Sequence, residues 1–140
     1  MGSTRAPALT LSLGLLAALA AGCGGGRAEK EARAAASWAA SARMAAEAWQ
    51  TSAAPRIFVI QVLETAARTL DEQRQDIEGR SRSAQTQSAA LQRLRVVRDA
   101  VVVARDAVQR SDRPQLHAAL QTLEREETAL LRSAGRGTSS

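Results

Sequence analysis

A chain of 140 residues with one Cys, one His, no Tyr, one Phe and two Trp has room for one core of ordinary size and none for a disulfide framework. Its net charge of +5 comes from 19 basic residues, of which only Lys30 is a lysine, against 14 acidic ones. The arginines alternate with Asp and Glu and have no aromatic residues between them, which argues against nucleic acid as a partner.

The first 23 residues differ from the rest. Arg5 is the only charged side chain before Arg27, and an apolar run follows from Ala8 to Ala21, broken by Thr10, Ser12 and Gly14. A charged start, an apolar middle and a small-residue end are the layout of a secretory signal. As a helix the run would span roughly 21 Å, short of the ~30 Å hydrocarbon core, so a cleaved signal is expected and not a membrane-spanning helix.

The run ends Leu19-Ala20-Ala21-Gly22-Cys23. This resembles the lipobox of bacterial lipoproteins, with Ala20 where that pattern most often has Leu. The resemblance covers residues 1–23 only. It implies cleavage before Cys23, a diacylglyceryl group on the thiol and a fatty acid such as palmitate on the new amine. Cys23 is then the lipidation site and membrane anchor of an envelope protein facing the periplasm. Gly24 in place of Asp resembles the pattern sent to the outer membrane in Gram-negative cells. Several acyl chains hold a protein stably where one does not. Cys23 is the only Cys, so its acylation leaves no thiol for metal binding or nucleophilic catalysis. Residues 1–22 are thus read as signal peptide, and 23–26 as lipidated Cys and glycine linker.

Beyond the glycines the composition turns rich in Ala, Arg, Gln, Leu, Val and Glu, which favours helices over strands. A first helix is expected over about 27–52, with Trp38, Ala42, Ala45 and Trp49 on its inner face. A second is expected over about 55–78, opened by Pro55 and ended by Gly79, with the seam Val59, Leu63, Ala66, Leu70, Gln73 and Ile77. Its start, Ile57 to Leu63, is apolar nearly all round and is expected to be buried on more than one side.

The third helix, about 83–110, repeats Val97-Arg98-Asp99-Ala100-Val101 as Ala104-Arg105-Asp106-Ala107-Val108, seven residues on. Ala90, Leu94, Val97, Val101, Ala104 and Val108 form one seam. Val96, Ala100, Val103 and Ala107 form a second apolar stripe, which a bundle or a homodimer would cover. Pairs such as Arg95–Asp99 and Asp106–Arg110 make the arginine stripe read as a solvated face. The fourth helix, about 113–134, is announced by Asp112 with Gln115 as a capping box. Its seam is Leu116, Leu120, Leu123, Glu127, Leu130 and Ala134, with 135–140 as a tail. Links this short make neighbouring helices antiparallel. The expected fold is all-α, an up-down-up-down four-helix bundle over 27–134.

Little in this sequence carries catalytic chemistry. His117 is the only His, and no Glu-x-x-His motif accompanies it, so neither metal nor other cofactor is expected. Serines lie mainly at helix ends, where capping accounts for them. The reading is therefore a non-enzymatic, membrane-tethered interaction or assembly module with an envelope protein as partner. In size and helical class alone it resembles the small pilotin lipoproteins that escort outer-membrane components. The alternative is a periplasmic carrier of a lipid or other apolar ligand, with a cleft near Trp38 and Trp49. Candidate partner or ligand contacts are Trp38, Trp49, Val96 and Val103; Arg80 and Arg82 are candidate membrane-facing basic residues.

Overall fold

The computed structural model describes residues 25–80 and 84–136, with side chains for 26–80 and 88–136. Four helices, α1 (Gly25–Gln50), α2 (Arg56–Arg80), α3 (Ala84–Arg110) and α4 (Arg113–Arg136), form an all-α up-down-up-down bundle. None is long and apolar enough to cross a membrane. The signal segment, Cys23, Arg82 and the last four residues lie outside the described part.

Each helix except α1 buries most of the stripe its periodicity indicates, apart from exposed Ala90 and half-buried Gln73 and Glu127. In α2 these are Val59, Leu63, Ala66, Leu70 and Ile77; in α4, Leu116, Leu120, Leu123, Leu130 and Ala134. In α3 they are Leu94, Val97, Val101, Ala104 and Val108, joined by Ala100 and Ala107. Burying one Leu or Val side chain contributes about 1.5–3 kcal/mol.

The buried stripe of α1 is all alanine: Ala35, Ala36, Ala39, Ala42 and Ala46. Trp38, Ala45 and Trp49, expected on the inner face, instead pack half-buried along its flank. The reason is steric. Short Cβ-only side chains let helix backbones approach toward the ~8 Å end of the usual separation, which leaves no room for an indole between them. As a result α1 reaches not only its neighbours α2 and α4 but also α3 across the short diagonal, while α2 and α4 lie out of contact across the long one.

The glycine signals proved weaker than their reading. Helix α1 starts at Gly25, inside the expected linker, α2 runs through Gly79 and α4 through Gly135, and no described glycine has positive φ. The left-handed residues are Ser52 (φ 61) and Ser111 (φ 56). At each, two backbone bonds close the helix end. Ser52 N–H donates to Trp49 O (3.0 Å) and Ala53 N–H to Ala48 O (2.7 Å); Ser111 N–H donates to Val108 O (3.3 Å) and Asp112 N–H to Ala107 O (2.9 Å). This is the Schellman pattern with serine in the place that glycine usually takes. The capping box at α4 is half formed. Asp112 Oδ1 accepts from Gln115 N–H at 3.0 Å, but the Gln115 side chain turns instead to Arg110 (2.8 Å).

Candidate functional surfaces and a cavity

The up-down topology gives the bundle two ends. One gathers the start of α1, the end of α2, the start of α3 and the end of α4. The other holds the turns at 51–55 and 111–112. Since Cys23, the expected lipidation site, precedes Gly25 by two residues, the first is termed the tether end and the second the distal end.

Between the helices, charges are paired. Each neighbouring pair is bridged by at least one arginine–carboxylate contact: Arg80–Glu31 for α1–α2 (3.0 Å), Arg98–Asp71 for α2–α3 (3.1 Å), Arg93–Glu126 for α3–α4 (2.9 Å) and Arg43–Glu127 for α1–α4 (3.3 Å). The arginine stripe of α3 stays partly exposed, but its pairs are not the i,i+4 ones. Arg95 turns to Glu78 (3.8 Å) and Arg98 to Asp71 and Asp99.

The two polar interruptions of the apolar seams serve this network. Gln73 donates its amide to Glu31 O at 2.8 Å. Glu127 lies between Leu123 and Leu130 and takes Arg43, which also bonds Glu47 at 3.0 Å. The Glu47 bond, opposed by partial burial and reinforced by Glu127, holds the Arg43 guanidinium more basic than an ordinary arginine. Arg98 is raised in the same way, first by its bond to Asp99.

Arg80 has Asp76 and Glu31 as partners, so it is not an unengaged cation at the tether end; Arg82 lies outside the described residues. Arg27 and Arg33 are likewise paired with Glu31 and Glu29. His117 is exposed and meets Gln121 at 3.1 Å. Among the described residues no three His, Cys, Asp or Glu side chains converge as a metal site.

The second stripe of α3 is split. Ala100 and Ala107 are buried in the bundle, while Val96 is half-buried and Val103 36% exposed. The start of α2 departs further from expectation. Ile57 is 70% and Phe58 53% exposed, because the helix presents only one side to its neighbours and Val59 and Leu63 occupy it. Both sit at the distal end, beside Arg56, whose guanidinium donates to Ser111 Oγ at 2.8 Å. Nearby, Arg113 lies over the Trp49 ring, 5.9 Å from its centroid.

At the tether end the bundle is hollow. A cavity of about 430 Å³ lies between all four helices, walled by Ala28, Glu29, Glu31, Ala32 and Ala35 of α1, Gln73 and Ile77 of α2, Ala89, Ala90, Arg93 and Leu94 of α3, and Leu130 and Ser133 of α4. Its exposed alanines, Ala28, Ala89 and Ala90, mark the open side. Trp38 and Trp49 take no part in it. A second hollow, by Trp49 and Ser52–Arg56, is a surface recess at the α1–α2 turn.

Of the cavity residues, Gln73, Ile77, Ala90, Leu94 and Leu130 belong to the expected seams, but single alanines carry no chemical signature of a cavity. The signal was positional: α1 and α3 place Ala28, Ala32, Ala35, Ala89 and Ala90 in the layer where α2 and α4 place Ile77 and Leu130. Comparison of the chain with protein-family models, curated proteins and solved structures found no match.

Proposed function

We propose that this chain is a lipid-anchored envelope protein, a non-enzymatic interaction or assembly module that meets a protein partner with the end of its bundle farthest from the anchor. The observation that carries this reading is the exposure of Ile57 and Phe58 at the distal end. Large apolar side chains set next to each other in water are commonest where a partner covers them, and Phe is among the residues that anchor interfaces. The lipobox resemblance at Cys23 supplies the tether, and Gly24 favours the outer membrane in a Gram-negative cell. The dense arginine–carboxylate pairing supports a scaffold more than a charged reactive site.

The test is site-specific photocrosslinking in intact cells. A photoreactive residue at position 58 is expected to give one discrete adduct with an envelope protein, lost when Ile57 is changed to Gln. The same probe at position 132, near the tether end, is expected not to give it. An adduct of equal yield from both positions, or from neither, contradicts docking through the distal end. The second reading, a carrier of an apolar ligand, now draws on the tether-end cavity and not on a cleft beside Trp38 and Trp49.

A further inference from the structure

We infer that the tether-end cavity is the binding site for one of the protein's own acyl chains, the one carried on the amine of Cys23. This rests on the reading of Cys23 as lipidated. The first support is the chemistry of the lining. Every polar side chain there already has a protein partner: Glu29 has Arg33, Glu31 has Arg27 and Arg80, and Arg93 has Glu126. Gln73 donates to Glu31 O and Ser133 to Leu130 O. What the cavity offers a ligand is therefore hydrocarbon contact, from Ile77, Leu94, Leu130 and the alanines, with no directional polar recognition.

Charge narrows the occupant. The lining offers no free cation to the carboxylate of a free fatty acid or the phosphate of a phospholipid, because Arg93 is held by Glu126, and the Arg27, Arg33 and Arg80 charges by Glu31 and Glu29. An amide-linked acyl chain brings no charge. Size and reach agree. A methylene fills about the volume of a water molecule, ~30 Å³, so the space accepts about 14 of them, close to one fatty acyl chain. Cys23 is two residues from Gly25, a span of at most ~7 Å, and Ala28 lies about 4.5 Å farther along the axis of α1. The diacylglyceryl group stays in the bilayer, and its two chains suffice to hold the protein there. The third chain then completes the core that the alanines leave open and ties the bundle close to the headgroups.

The experiment uses the full lipidated chain from cells fed 13C-palmitate, moved into nanodiscs of unlabelled phosphatidylcholine, with intact mass measured on the same sample. The expected result is a mass carrying the acyl groups on Cys23, together with NOEs from labelled methylenes to the methyl groups of Ile77, Leu94 and Leu130. In Ala32→Leu, which fills the cavity from inside, those NOEs fall several-fold. Acylated protein without the NOEs overturns this inference alone. A mass without acyl groups overturns the lipoprotein reading and this inference with it. The same NOEs from Cys23→Ser protein made without residues 1–22 would mean that the cavity takes a lipid from outside, and would also overturn it.

Discussion

Truncating Leu63 and Ile77 to alanine compares a packed part of the bundle with a hollow one. Core Leu or Ile to Ala changes cost about 2–5 kcal/mol, rising by ~24 cal/mol for each Å³ of hole left behind. Leu63 has no exposed surface, and the helices that face it present short Ala and Val side chains, fixed to backbones already in close approach. Little can move into the gap, so most of the hole persists and the loss should be about 4 kcal/mol. Ile77, 8% exposed, lines a space of about 430 Å³ that exists before any mutation. Its truncation widens that space, and the loss reduces to the transfer contribution, about 2 kcal/mol. The assay is urea unfolding of Cys23→Ser protein made without residues 1–22, followed by far-UV circular dichroism, with free energies taken from midpoints at constant slope. Leu63→Val, about 1 kcal/mol, gives a milder reading of the same site. An Ile77→Ala loss equal to or larger than that of Leu63→Ala would refute the reasoning, because the tether end would then be as tightly packed as the middle.

Ser52→Gly should stabilise the same protein by about 0.5–1 kcal/mol, since glycine relieves the left-handed backbone at φ 61; a loss of stability in urea would contradict the capping assignment. Glu127→Leu continues an apolar seam and leaves Arg43 its bond to Glu47, so stability should be unchanged or raised by up to about 1 kcal/mol; a clear loss would mean that the Arg43–Glu127 pair holds α1 to α4. Arg113→Ala should alter Trp49 fluorescence while costing about 0.5–1 kcal/mol. Val96→Gln with Val103→Gln should cost about 1 kcal/mol, nearly all from half-buried Val96, and leave the mass in solution by light scattering unchanged; a change of mass would show that copies of the chain pair through this stripe.

The fold was legible because three of the four helices carry long apolar periods bounded by short polar links. Leu63, Leu70, Val97, Val101, Leu116 and Leu123 are all fully buried where their spacing put them. What misled was residue type taken without geometry. Tryptophan reads as a core anchor, yet Trp38 and Trp49 flank α1, because an alanine seam brings backbones too close to admit them. Glycine reads as a stop, yet Gly79 and Gly135 stay helical and serines take the left-handed positions. Periodicity also cannot say how many neighbours a helix has, so the apolar start of α2 was read as enclosed where Ile57 and Phe58 are open. Interhelical partners such as Asp71 for Arg98 depend on the rotation of one helix against another, which no local spacing encodes. The cavity depends on how four alanine-poor and alanine-rich segments meet in one layer.

The lipid tether at Cys23 is tested most directly by metabolic labelling with an alkyne fatty acid, followed by fractionation of the cells. Label is expected on the wild-type protein in the membrane fraction, and neither label nor membrane retention for Cys23→Ser made without residues 1–22. Equal labelling of the two proteins, or wild type that is released unlabelled, would contradict the tether.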